Sequence, residues 1–431
     1  AEGRPLAAAC GQLTASGGGN VAVALDPAAS ATKASRSEPE AERDDTRDPV
    51  LTTLLHQAGS PKELLDLVET HASVLNAIHL STAAVTLARS APGGAAWLRR
   101  DERFKLLVGR MAELAGDFQA QACANVFWAM GKIGYRPSKA LLRALAASAA
   151  RQASELWPQN LAKIVWACAK LGCTPGKELL LALATEMRVK IGKLTPVELA
   201  NSLWAFAKLR YDPGSELMES FFEEADARRS AFKPRDVAHI FWACATLGRT
   251  LAERLLQALV EVAASSPQGA KPDDVAKIVW ALAKFGFNPG QEIVCGMLSQ
   301  NFGAEEYRTI LLACSELDCR PDDDFLGASA QAIQLSLALF GPREVGDVLS
   351  SFARLKYDPG AEFVQAGVHA TGRNGGKDSK PEDVDFLLGV CELIGHPPGQ
   401  ELLNKVAHAQ NLSSERLPSA SATSSTEPAS R

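Results

Sequence analysis

The chain has 431 residues, 46% of them hydrophobic and 22% charged, with a formal net charge of −5. Aromatics at 6% give strands little support, and no apolar run approaches the roughly 20 residues that span a membrane. The charge is unevenly placed: residues 97–300 carry a net +7, while 1–96 sum to −4 and 301–431 to −8. A basic middle between acidic ends bears on partners rather than on fold, and points to an anionic partner for the middle.

In chain order, residues 1–48 are rich in Ala, Gly, Ser and Pro and then run into SRSEPEAERDDTRD. Such a segment buries too little apolar surface to order itself, so a disordered N-terminal segment is expected. Its acidic second half does not suit an organellar transit peptide, and the start at Ala1 rather than Met is compatible with a processed or truncated N-terminus. Residues 49–119 are expected to hold divergent N-terminal helical repeats, with AAVTLARSAP as a helix that puts Val85 in a place Trp fills later.

Residues 120–300 hold the core of the pattern. Trp128, Trp166, Trp204, Trp242 and Trp280 are 38 residues apart each time, inside NVFWAMGKIGYRP, KIVWACAKLGCTP, NSLWAFAKLRYDP, HIFWACATLGRTL and KIVWALAKFGFNP. A fixed period of a few tens of residues marks stacked supersecondary units. One unit spans 176–213: KELLLALATEMRVKI forms a first helix, then Thr195 caps a second with Pro196 at its first position and Glu198 three residues after the cap. Prolines eight residues before the Trp (Pro158, Pro196, Pro234, Pro272) read as starts of second helices, and those nine after it (Pro137, Pro175, Pro213, Pro289) as stops.

Residues 301–410 continue as divergent C-terminal repeats, closed by Pro321, Pro359 and Pro398, with second helices opened by Pro342 and Pro381. Leu312, Ser350 and Gly389 stand in the Trp place. Leu312 follows Trp280 by 32 residues, which predicts a shortened first helix or a break. The Ser-rich tail, 411–431, is expected to be disordered. Together these elements predict an all-α fold, an α-solenoid of about nine helix-turn-helix repeats of about 38 residues.

Counted from the Trp at about 100° per residue, apolar side chains fill a broad arc of the second helix, so neighbours sandwich it. The polar arc carries the variation. Position −3 holds Asn125, Lys163, Asn201, His239 and Lys277; position +1 is always Ala; position +4 holds Lys132, Lys170, Lys208, Thr246 and Lys284, continued by Arg89 upstream and Arg354 downstream. Cations to hold phosphates, a variable polar residue to meet base edges and a small residue for clearance are what a groove for an extended polyanion needs. The same columns also have plainer roles. A last-turn Lys meets the helix dipole, Ala allows close helix packing, Trp supplies core area, and Asn bonds a neighbouring turn.

Catalytic and metal constellations are missing: no HExxH, no Gly-rich phosphate loop and no metal-spaced cluster appears, so neither catalysis nor a cofactor is expected. GGKDS at 375–379 reads as a loop, and the acidic run at 322–324 as a helix opening. None of the nine cysteines forms a CxxC pair, and Cys168 and Cys244 share a column with Met130, Phe206 and Leu282, which is a core column.

The unit LTPVELANSLWAFAKLRYDPG resembles the octotricopeptide repeat through Leu/Val-Ala-x-x-Leu/Val-Trp-Ala-x-Ala-Lys-Leu at Leu199–Leu209. With small changes the motif returns at Leu161–Leu171, Val237–Leu247 and Val275–Phe285. NAIHLSTAAVTLARSA, near Asn76, is similar to a segment of the related FAST-kinase-like proteins. The resemblance implies a soluble organellar factor of mitochondria or chloroplasts. Such a factor binds single-stranded RNA and guides its processing, stability, splicing or translation, alongside RNA-processing or ribosomal proteins. Two departures stand out: TPGKELL and DPGSELM replace the family's Pro-Pro-Pro-Glu-Trp opening, and the tail shows no RAP domain. The expected RNA-binding residues are Arg89, Asn125, Lys132, Lys163, Lys170, Asn201, Lys208, His239, Lys277 and Lys284. The rival expectations are an armadillo- or HEAT-like protein scaffold and a structural subunit of an organellar ribonucleoprotein.

Overall fold

The computed structural model describes residues 49–397 except 92, 94, 266–268 and 375–379. The expectations for 1–48, for GGKDS at 375–379, for Pro398 and for the tail 411–431 lie outside the described residues. Within them there are helices and no strand. The first helices of successive pairs are α2 (Pro61–Thr70), α5 (Glu102–Glu113), α7 (Lys139–Arg151), α9 (Lys177–Lys190), α11 (Ser215–Ala227), α13 (Glu253–Ala264), α15 (Gln291–Met297), α17 (Asp323–Leu335) and α19 (Ala361–Asn374). Their partners are α3 (Ala77–Ser90), α6 (Ala120–Ile133), α8 (Pro158–Leu171), α10 (Pro196–Lys208), α12 (Pro234–Leu247), α14 (Pro272–Phe285), α16 (Ala304–Glu316), α18 (Pro342–Arg354) and α20 (Pro381–Leu393). That makes nine pairs among the described residues. Helix α1 (Pro49–Gln57) packs on α3 as a further cap, and α4 (Ala95–Leu98) is a single turn. The short interval before Leu312 is explained by α15, which has only 7 residues.

Helix ends follow local chemistry. Pro occupies the first turn of α8, α10, α12, α14, α18 and α20, where its missing N–H is an orphan in any residue. In α10 the Thr195–Glu198 capping box forms in full, with Thr195 N donating to Glu198 Oε2 at 2.8 Å and Glu198 N to Thr195 Oγ1 at 3.3 Å. Asp236, Asp274 and Glu344 repeat the acidic half of that box on the N-cap N–H groups of Lys233, Lys271 and Gly341. Asp322 caps α17 by accepting from Phe325 N at 2.8 Å, so the acidic run does open a helix.

The stops differ from the sequence expectation. The prolines after the Trp lie beyond the helix ends, which are set by a left-handed residue: Gly172 at φ 59°, Gly248 at φ 66°, and at the same step Arg210 at φ 53°. The next N–H then bonds back across the turn, as Cys173 N does to Cys168 O at 3.1 Å and Tyr211 N to Phe206 O at 3.0 Å.

The pairs stack into two layers, first helices on first and second helices on second. Neighbouring second helices approach more closely than neighbouring first helices. The +1 alanines make the close approach possible. Ala129, Ala167, Ala205, Ala243 and Ala281 are fully buried between helices and give no clearance to a ligand. Gly131 is tighter still: a Cβ there would stand 3.1 Å from the Ala167 Cα.

A column the sequence reading passed over ties unit to unit. Gln152 Nε2, Lys190 Nζ and Arg228 Nη1 donate to the carbonyls of Phe118, Leu156 and Leu194 at 3.1, 3.0 and 2.5 Å. Donors and acceptors both recur every 38 residues, but the donor changes type each time, which hides the column from inspection of residue identity. The eight described cysteines carry free thiols, and all but Cys295 are buried in the core.

Candidate functional site

Each second helix presents one ridge at the surface: positions −7, −3, the Trp and +4, successive turns of one side. On α10 these are Val197, Asn201, Trp204 and Lys208. The five repeat tryptophans are half-buried, with part of each ring packed on the core and part at the surface. The buried part of each ring accords with the core reading of the Trp column.

The +4 column is exposed at Arg89, Lys132, Lys170, Lys208 and Lys284. Lys132 Nζ lies 5.8 Å from the Trp128 ring, a cation over a π face. Among the described residues Arg89, Lys132, Lys170 and Lys208 make no ion pair. Lys284 does: it pairs with Glu316 of α16 at 3.2 Å. Thr246 interrupts the column on α12. The tract of unpaired cations thus covers α3, α6, α8 and α10.

The −3 column is less free than its composition suggests. Asn125 accepts from Gln121 Nε2 of its own helix at 3.3 Å. Lys163 is half-buried, its Nζ 3.5 Å from Asn160 Oδ1, and burial lowers its hold on the proton. Glu198 opposes that lowering and Arg89 adds to it. Lys277 is ion-paired to Asp273.

Asn201 and His239 belong to one structure rather than two. His239 of α12 stacks on Trp204 of α10, with centroids 5.5 Å apart and planes at 24°. Its Nδ1 is 3.1 Å from Asn201 Oδ1, so Nδ1 carries the proton and donates. Burial first, then Arg235 and Lys277, push its pKa down to about 4, and the ring is neutral at pH 7.

Farther along, a cleft of about 360 Å³ opens between α12, α14 and α16, bordered by Trp242, Trp280, Lys277, Lys284, Thr309 and Glu316. Thr309 and Glu316 were outside the sequence reading; the signal that could have drawn attention to them was the shortened spacing before Leu312. Among the described residues no set of three His, Cys, Asp or Glu side chains is placed to hold a metal, and no helix is long and apolar enough to cross a membrane.

A stack of helical pairs with a line of exposed cations along its second-helix face defines a helical-repeat solenoid. The sequence matches the model of the Tbc2 translation factor N-terminal domain over residues 60–230 and again over 182–324, more than half of the chain. The chain belongs to that family. No curated protein matches it significantly.

Among solved structures, the pentatricopeptide repeat protein PPR10 from maize aligns at 12% identity and a TM-score of 0.17, covering 85% of this chain and 78% of that one. PPR10 in complex with an 18-nt psaJ RNA element aligns at 11% and 0.16, covering 84% and 71%. A circular tandem repeat protein aligns at 14% and 0.21, covering 85% and 95%. Scores this low carry no functional argument.

Proposed function

We propose that the protein binds single-stranded RNA along its second-helix face, as an octotricopeptide-type factor acting on organellar RNA processing, stability, splicing or translation without catalysis of its own. The observation that carries this reading is the line of cations that make no ion pair among the described residues, Arg89, Lys132, Lys170 and Lys208, one per repeat, the last three on the same helix ridge as a half-buried tryptophan. Cations at this spacing hold phosphates, and the tryptophan margins give unpaired bases a surface to stack on. A duplex would hide those base faces, which favours a single strand. Membership in a translation-factor family is consistent with an RNA ligand.

The tract of free cations is shorter than the whole array. With about one nucleotide per unit, some four or five nucleotides meet the ridge electrostatically, fewer than the roughly eight that the repeat count alone suggests. Asn125, Lys163, Asn201, His239 and Lys277 then shape the ridge and its potential more than they reach out for base edges.

The test is a salt titration of affinity for unpaired oligoribonucleotides. Four phosphate contacts give a slope of log affinity on log salt of about −3, and replacing Lys132, Lys170 and Lys208 together with Ala brings it to about −1. An unchanged slope in the triple variant removes phosphate binding from this column. Tight, salt-insensitive capture of an extended peptide would favour the protein-scaffold reading.

A further inference from the structure

Trp204 and Trp280 hold the same place in the repeat, yet their rings meet different surroundings. Against Trp204 lies a planar heteroaromatic ring, the imidazole of His239, at 5.5 Å and 24°, with one edge hydrogen-bonded to Asn201 at 3.1 Å. The residue that corresponds to His239 beside Trp280 is Thr309 on α16. Thr is too small to fill the site of a ring, and the cleft of about 360 Å³ opens there, where α15 has shrunk to 7 residues. A cleft of that size is within the range of small-ligand sites.

We propose that this cleft takes an unpaired guanine, stacked against Trp280 where His239 stacks against Trp204; the inference rests on the RNA-binding reading. The edge chemistry selects the base. Lys277, paired with Asp273, stands in the position of Asn201, and Lys284 borders the same cleft about two turns farther along α14; both donate hydrogen bonds and accept none. Guanine presents O6 and N7, two adjacent acceptors, to such donors. Glu316 sits 3.2 Å from Lys284 and offers carboxylate oxygens to the N1–H and N2–H₂ groups next to O6. The ion pair thus holds an acceptor beside a donor, the complement of guanine's Watson–Crick edge. Adenine would turn its N6 amino group toward the lysines, donor against donor. Pyrimidines would leave much of the ring surface uncovered.

The experiment titrates the full chain with guanosine, adenosine, cytidine and uridine 5′-monophosphates, followed by tryptophan fluorescence. GMP is expected to quench and to bind at least about fivefold more tightly than the other three. Thr309→His, which supplies the ring that the Trp204 site already contains, is expected to weaken GMP at least about tenfold. It leaves the salt slope of oligoribonucleotide binding unchanged. Glu316→Gln, a milder change, is expected to erase most of the preference for GMP over AMP. No GMP binding at millimolar concentration, equal binding of all four nucleotides, or GMP binding indifferent to both variants would overturn the proposal. Salt-dependent oligoribonucleotide binding without a base preference would remove the cleft and spare the ridge. GMP binding with no affinity for oligoribonucleotides would remove the ridge and spare the cleft.

Discussion

His239 shows how one side chain links stability to the working face. His239 is 7% exposed, its ring stacked on Trp204 and bonded to Asn201, and its pKa is pushed down to about 4 from the ordinary 6.5. A histidine that resists protonation when folded costs stability in acid. The unfolded chain binds its proton near pH 6.5 and the folded one near 4, so the contribution is complete above 6.5 and is lost as pH falls between those values. At 1.36 kcal/mol per unit the full loss is about 3 kcal/mol. Asp236 and Asp274 titrate in the opposite sense, because burial raises both. The comparison with His239→Phe, which keeps a ring on Trp204, isolates the histidine. Urea midpoints at pH 7 and pH 4.5 should fall less for the variant than for the native chain; an equal fall would mean that the imidazole is solvated.

At the scale of the helix, the repeat tolerates a strained residue in three units, at Arg210, Asp318 and Lys356, that it avoids in others. Gly172, Gly248 and Gly286 end their helices at φ 59°, 66° and 65°, and Arg210 takes the same step at φ 53°. A left-handed conformation costs a residue with a Cβ about 1–2 kcal/mol. Arg210→Gly should therefore raise stability by about 1 kcal/mol, offset in part by glycine's greater freedom in the unfolded chain. Gly172→Arg should lower it by a similar amount; thermal or urea unfolding reads both. Equal stability of all three proteins would show that this turn relaxes at no cost.

These helix ends also mark where sequence reasoning succeeded and where it fell short. The 38-residue recurrence of Trp fixed the helical pairs, and the Thr195–Pro196–Glu198 start was legible because capping is local chemistry between neighbours in the chain. The stops are less legible, since proline is conspicuous while the residue at positive φ is glycine in most units but Arg210, Asp318 and Lys356 in three. The alanine column fits both clearance and close helix packing in the sequence, and packing is what the structure has, because its partner surface is the next second helix, 38 residues away. The exposed +4 cations followed from periodicity alone, whereas the pairing of Lys284 with Glu316 depends on a degenerate unit that has no Trp to align it.

Over the whole molecule, a rigid stack and a graded face follow from the same repetition. The Gln152, Lys190 and Arg228 bonds cross from unit to unit and the alanine column draws the second helices together, so the ridge cations keep a fixed spacing. A repeat array propagates such spacing because each unit contacts its neighbours and little else. The face begins with unpaired cations on α3 to α10 and passes, beyond Thr246, to lysines matched with carboxylates. The first stretch suits any phosphodiester chain, and the second suits a choice among bases.

The most direct test is ultraviolet crosslinking of the native chain to an unpaired oligoribonucleotide, with the attached peptides identified by mass spectrometry. The account predicts adducts on the second helices α6, α8 and α10, at and around Trp128, Trp166 and Trp204. Adducts confined to the first helices α7, α9 and α11, or no adducts at low ionic strength, would contradict it.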